Sequence, residues 1–220
     1  MATGHRAEDV RAHYAALAKT YDNKANRACK RYYERLIVRG LGGCSRVLEI
    51  GAGSSPLLDV LSPALGVACD LSLTMLATRR AAPERPRVVA NGQQLPFRDG
   101  VFDGVFCVNV LEHAPEPAML VAEAARVLSR GGHFLAITPN GDAERLLDLL
   151  ERFKLKLPEG PHRFVNFGEL AALAGDDFTL VEHRKCLAFP AGPEALVRWV
   201  DNLGGEPGWG LFQYAVMRKR

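Results

Sequence analysis

The stretch Val47-Leu48-Glu49-Ile50-Gly51-Ala52-Gly53-Ser54-Ser55 constrains the fold more than any other part of the chain. An apolar run carries an acid near its end and gives way at once to Gly-X-Gly, which is how an open α/β sheet forms a floor for a nucleotide-like ligand. Gly51 and Gly53 let the backbone turn sharply and approach a ligand with no Cβ in the way. Glu49 falls near the carboxyl end of the strand, where such sheets bind their ligands. A dinucleotide fingerprint needs a third glycine at position 56, for close helix–strand packing, and Pro56 stands there, so a dinucleotide is disfavoured. A second short run, Val67-Ala68-Cys69, ends in Asp70, 19 residues after Gly51, where an acid can accept from both hydroxyls of a ribose.

Along the rest of the chain strands and helices alternate, as a doubly wound sheet requires. Strands are expected at Arg46–Ile50, Gly66–Asp70, Arg87–Ala90, Gly104–Asn109, His133–Thr138, Thr179–Lys185 and Leu211–Met217. Helices are expected at Glu8–Thr20, Ala25–Arg39, Leu57–Leu61, Thr74–Ala81, Pro117–Ser129, Ala143–Phe153, Phe167–Ala174 and Pro193–Leu203. The first of these spaces Val10, Tyr14, Leu17 and Tyr21 as one helical face. At 220 residues, 48% hydrophobic and 24% charged, the chain reads as one globular domain.

Two further segments fix the reading: Asn91-Gly92-Gln93-Gln94-Leu95-Pro96-Phe97, and Phe102 through Asn109-Val110-Leu111-Glu112-His113. Together with the glycine loop they resemble the class I S-adenosylmethionine-dependent methyltransferases, in the small-molecule branch that includes the quinone-biosynthesis enzymes. The likeness runs in order from about Tyr14 to Phe178. It implies a Rossmann-like, doubly wound, mostly parallel seven-stranded α/β sheet with an antiparallel last strand inserted between its neighbours. Within one domain over 1–220, residues 1–42 would form a helical lid, 43–140 the cofactor-binding half and 141–220 a substrate-side half with helical insertions. The cofactor implied is S-adenosylmethionine.

By the same resemblance Gly51, Ala52 and Gly53 line the methionine and sugar side of the cofactor, with Glu49 steadying that loop or meeting the amino-acid moiety. Asp70 takes the ribose hydroxyls and Leu71 or Met75 packs on the adenine. Asn91 stands where many relatives have Asp and faces the adenine with Gly92 and Gln93; its amide can both accept and donate. Asn109 opens the active-site crevice. His113 is the candidate base, its ordinary pKa of about 6.5 suiting proton removal at neutral pH; a cofactor contact or a helix-entry role is the competing assignment. Tyr21 belongs to the lid, where an aromatic face near a sulfonium offers cation–π attraction, while Tyr14 reads as a staple between lid and sheet. His162 beside Arg163 is a second candidate base or clamp, set against a plain surface loop. Trp199, Trp209 and Phe212 are candidates for an apolar pocket or for core.

A methyl sulfonium is already activated, so such an enzyme needs no covalent nucleophile and no metal. Five scattered cysteines give neither a disulfide framework nor a zinc site, and Cys69 and Cys107 read as core. Net charge is +3, too mild to argue for nucleic acid, although Lys24, Arg27, Lys30, Arg31, Arg35 and Arg39 crowd the amino-terminal helices. No run approaches the roughly 20 apolar residues of a membrane span, and the amino terminus lacks a signal-peptide core. The expectation is a cytoplasmic monomer or homodimer acting on a small-molecule acceptor. Methylation of RNA or another anionic macromolecule, and a non-catalytic cofactor-binding scaffold, are the alternatives.

Overall fold

A computed structural model describes residues 7–17, 27–79, 84–144, 163–186 and 210–220. Seven strands form one sheet in the order β3-β2-β1-β4-β5-β7-β6. These are β1 (Arg46–Ile50), β2 (Leu65–Asp70), β3 (Arg87–Val89), β4 (Phe102–Val108), β5 (Leu128–Pro139), β6 (Phe178–Cys186) and β7 (Phe212–Lys219). Strands β1 to β5 pair in parallel. β7 runs antiparallel between β5 and β6, as the resemblance implies. The chain winds outward from β1 through β2 and β3, then crosses to β4 on the other side. That reversal opens a crevice at the carboxyl ends of β1 and β4, the place where open α/β sheets bind ligands.

Both faces of the sheet are covered, so alternate residues of each strand enter different cores. On one face Leu48, Ile50, Val105, Cys107 and Phe134 pack under helix α4 (Pro117–Val127), which contributes Leu120, Val121 and Ala124. On the other, Val47, Phe106, Leu135 and Ile137 pack under α2 (Arg27–Leu41), which contributes Tyr33, Leu36, Ile37 and Leu41 while Arg35 and Arg39 stay exposed. Full burial of such side chains is worth about 1.5–3 kcal/mol each. Cys69 and Cys107 are core, and Phe212 is core beside Tyr33. The remaining helices are α1 (Ala7–Leu17), α3 (Leu73–Thr78) and α5 (Phe167–Ala172).

Several boundaries differ from the sequence expectation for physical reasons. The helix expected to reach Ser129 stops at Val127, because Leu128 pairs with Phe102 and starts β5 five residues before His133. Leu57–Leu61 is a single 3-10 stretch between Pro56 and Pro63, too short and too proline-bound for an α-helix. The helix at Thr74–Ala81 is cut to Leu73–Thr78, since Arg79 is already extended (ψ 124°). Only the entry of the expected Ala143–Phe153 helix is described, as a 3-10 turn over Gly141–Ala143. The expected helix at Pro193–Leu203 and residues Tyr21, Lys24, His162, Trp199 and Trp209 lie outside the described residues. No described helix is long and apolar enough to cross a membrane, and no described cluster of His, Cys, Asp and Glu could hold a metal ion.

Candidate active site

At the carboxyl end of β1, Gly51 has φ +69°, and a Cβ there would run into Val110 of the neighbouring β4 loop, so only glycine fits. The loop is then tied down by its own amides. Ala52 N–H donates to Cys69 O at 2.9 Å, and Gly53 N–H donates to Asp70 Oδ2 at 2.8 Å. The other Asp70 oxygen accepts from Ser72 N–H at 2.8 Å, and Ser72 Oγ in turn caps α3 by accepting from Met75 N–H. Burial raises the Asp70 carboxyl above its ordinary value, with the Ser72 and Gly53 amides working against that shift. A carboxylate has about four lone-pair sites, so these two backbone donors leave acceptor capacity for a diol.

Glu49 is paired inside the protein. It is 3% exposed, and its Oε2 accepts from the guanidinium of Arg79 at 2.6 Å. Arg79 is equally buried and spends a second nitrogen on Ala52 O at 2.7 Å. These contacts suit the first of the two roles expected for Glu49, that of steadying the loop. Desolvation pushes the Glu49 carboxyl up to about 7, with Arg79 pulling it down. Arg79 carried no motif that could have marked it in the sequence.

After β3, Asn91 Oδ1 accepts from Gln93 N–H at 3.0 Å, which leaves the Asn91 amide nitrogen as the group with donors to spare. A ring nitrogen suits that edge better than an amino group does. Gly92 has a packing reason of its own: a Cβ would sit 2.8 Å from Ile50 Cγ2, so its place under β1 is close contact rather than an opening toward a ligand. Gln93 Nε2 donates to Glu116 O. Leu71 is half-buried at the mouth, whereas Met75 is 3% exposed. Arg126 of α4 pins the segment that follows, donating to Leu95 O and Phe97 O and pairing with Glu123 and Asp99.

The wall opposite is built from β4 and β5. Asn109 ends β4 with φ +54°, a left-handed conformation that Asn tolerates better than most residues. Its N–H donates to Ile137 O, but its Oδ1 is buried with no hydrogen-bond partner among the described residues. Leu111–His113 form one 3-10 turn, fully interior. Glu112 accepts from Thr138 Oγ1 at 2.8 Å, and its carbonyl accepts from Arg163 N–H at 2.8 Å. His113 Nε2 and the Tyr14 hydroxyl lie 2.8 Å apart, with the two rings edge to face. Tyr14 thus does more than staple α1 to the sheet: its phenol meets the candidate base. Thr138 was missed by sequence reading because only the pairing of β4 with β5 brings it to Glu112.

The methyltransferase-domain family matches residues 48–136, which include the Gly51–Gly53 loop, Asp70, Asn91, Asn109 and His113. A ubiquinone biosynthesis O-methyltransferase of Aromatoleum aromaticum is 32% identical over 149 residues, covering 61% of this chain and 62% of that protein. A demethylmenaquinone methyltransferase of Mycolicibacterium paratuberculosis is 29% identical over 213 residues, covering 90% of each. Among solved structures, the N-methyltransferase NodS of Bradyrhizobium japonicum, in complex with S-adenosyl-L-homocysteine, superposes with a TM-score of 0.67 at 13% identity, covering 96% of this chain and 98% of that one. The chain spans about half the length of several curated relatives it matches. In fold, in the matched domain and in its relatives the chain is similar to the class I S-adenosylmethionine-dependent methyltransferases. Within that class it is similar to the quinone-biosynthesis enzymes.

The residues present fit the cofactor of that class. Asp70 retains acceptor capacity for ribose hydroxyls, Asn91 retains donors for an adenine ring nitrogen, and Asn109 Oδ1 is a buried acceptor still to be matched.

Proposed function

We propose that this chain transfers a methyl group from S-adenosylmethionine to a small organic acceptor. The observation that carries the reading is the lining of the crevice, where Asp70 keeps acceptor capacity beside the tied Ala52–Gly53 amides and Asn91 keeps donors. When bound, the cofactor supplies an activated methyl group on a neutral leaving group, so the protein's work is placement, exclusion of water and removal of a proton. Asp70 and Asn91 hold the nucleoside from either side, Leu71 packs against it, and Asn109 accepts from a ligand donor. His113 takes a proton from the acceptor and is kept in orientation by the Tyr14 phenol. The whole of 1–220 acts as one cytoplasmic domain. The relatives, one a ubiquinone biosynthesis O-methyltransferase and one a demethylmenaquinone methyltransferase, support small ring-bearing acceptors as the first to screen.

The test is incubation with methyl-labelled cofactor and a panel of phenols, quinones and amines, followed by mass analysis. Label in a small product supports the reading. Label in RNA, lost steeply as salt rises, would replace the acceptor class. Binding without label in any fraction would leave a scaffold.

A further inference from the structure

We infer that Arg79 is the positioning residue of the Gly51–Gly53 loop: by holding Glu49 and the Ala52 carbonyl with two different nitrogens, it sets the loop shape on which ligand binding depends. For its binding arm the inference rests on the function proposed above.

The geometry is a closed circuit. From Asp70 the chain passes through Ser72, whose N–H that carboxylate accepts, into α3. Six residues later it leaves α3 at Arg79, which reaches back to β1 through Glu49 Oε2 at 2.6 Å and to the loop through Ala52 O at 2.7 Å. The loop returns to Asp70 through Gly53 N–H at 2.8 Å. Arg79 and Glu49 side chains are 1% and 3% exposed, so neither can reach solvent or a ligand.

Stability alone does not account for such a pair. Two charges taken from water regain little more than their desolvation cost, and well-packed apolar residues often serve as well or better. What an apolar pair cannot do is draw the Ala52 carbonyl inward. With that carbonyl held by Arg79 and the Ala52 amide held by Cys69 O, the peptide planes on both sides of Ala52 have one orientation. The Arg79 Nε is buried with no partner among the described residues, so the guanidinium is placed for these two contacts at some expense to its own satisfaction. A lysine offers one compact charge where arginine offers a planar fork; it can keep Glu49 paired but not span to Ala52 as well.

The experiment uses Arg79→Lys and, separately, the paired Glu49→Met/Arg79→Met variant of the full chain. Thermal unfolding, amide hydrogen exchange at Ala52 and Gly53, and calorimetric affinity for S-adenosylhomocysteine are read on each. The inference expects the melting temperature to stay close to wild type in at least one variant. In that variant exchange at Ala52 and Gly53 rises about tenfold or more while β4 and β5 amides are unchanged, and the dissociation constant rises about 10-fold to 100-fold, as for a lost hydrogen bond to a charged group. Wild-type loop protection and wild-type affinity in a folded variant would overturn it, since Arg79 would then be a structural partner of Glu49 and no more. If the wild-type protein binds no S-adenosylhomocysteine, the proposed function falls, while the exchange comparison still decides the role of Arg79.

Discussion

The two walls of the crevice are built on opposite terms. On the β1–β2 side, Asp70 and Glu49 are both committed inside the protein, the first to two backbone amides and the second to Arg79. On the β4–β5 side, Asn109 holds a left-handed backbone and an unmatched buried oxygen, and His113 meets a phenol from a different element, helix α1. The first wall is finished as a structure without a ligand, although Asp70 keeps acceptor capacity for one; the second leaves a buried oxygen unmatched. Strain and unsatisfied acceptors persist where the surrounding structure enforces them and where function uses them. Stability should therefore rest mainly on the first wall, whereas both walls contribute to binding.

The largest effect expected is on the finished wall. Arg79→Met leaves the buried Glu49 carboxyl and the Ala52 carbonyl without their shared partner, and loss of one partner of a buried pair costs about 3–5 kcal/mol; urea unfolding measures it, and a cost under about 1 kcal/mol would break the comparison. Next is Asp70. Because its oxygens also hold Gly53 and Ser72, Asp70→Ala should lower both stability and ligand affinity. Asp70→Asn keeps one acceptor for the backbone, so it should keep most of the stability and lose affinity by about 10-fold to 100-fold. Calorimetry on the two side by side separates loop support from ligand contact.

Asn109→Gly should behave in the opposite way. Glycine accepts φ +54° without strain and removes an unmatched oxygen, so stability should hold or rise by up to about 1 kcal/mol. Ligand affinity or turnover should fall. A clear loss of stability would show that Asn109 belongs to the finished wall after all.

Much of the first wall was legible because it is local. The strand, the Gly-X-Gly turn and the acid after β2 lie within 24 residues of one another, from Val47 to Asp70, and each has a conformational reason that sequence displays. What sequence could not display is pairing across long separations. Arg79 sits 30 residues from Glu49, Thr138 26 residues from Glu112, and Tyr14 99 residues from His113. None of the three has a periodicity or a neighbour that announces its partner. The early start of β5 was hidden for a related reason: Leu128-Ser129 reads as the end of a helix until Phe102 offers Leu128 a strand to pair with. Glu49 was recognised as important, but burial beside an arginine from another element gave it a neighbour no local pattern predicts.

Tyr14→Phe sharpens the comparison on the open wall. It removes the hydroxyl on His113 and leaves the edge-to-face ring contact, so stability should change by about 1 kcal/mol or less while the pH dependence of turnover moves. An unmoved profile would return Tyr14 to a purely structural place. The smallest effect is expected remote from both walls. The Arg126 hydrogen bond holds the Glu123 carboxyl below its ordinary value, so its contribution is present at neutral pH and is lost as pH falls through that lowered value. Because both groups are partly exposed, Glu123→Gln should flatten the acid side of the stability curve by less than about 1 kcal/mol.

Calorimetric titration of the purified protein with S-adenosylmethionine and S-adenosylhomocysteine, with NAD as the control, tests the central claim most directly. The account predicts that both sulfur nucleosides bind and that NAD does not, since the loop carries Pro56 where a dinucleotide site needs its third glycine. Binding of NAD with no response to either sulfur nucleoside would contradict it.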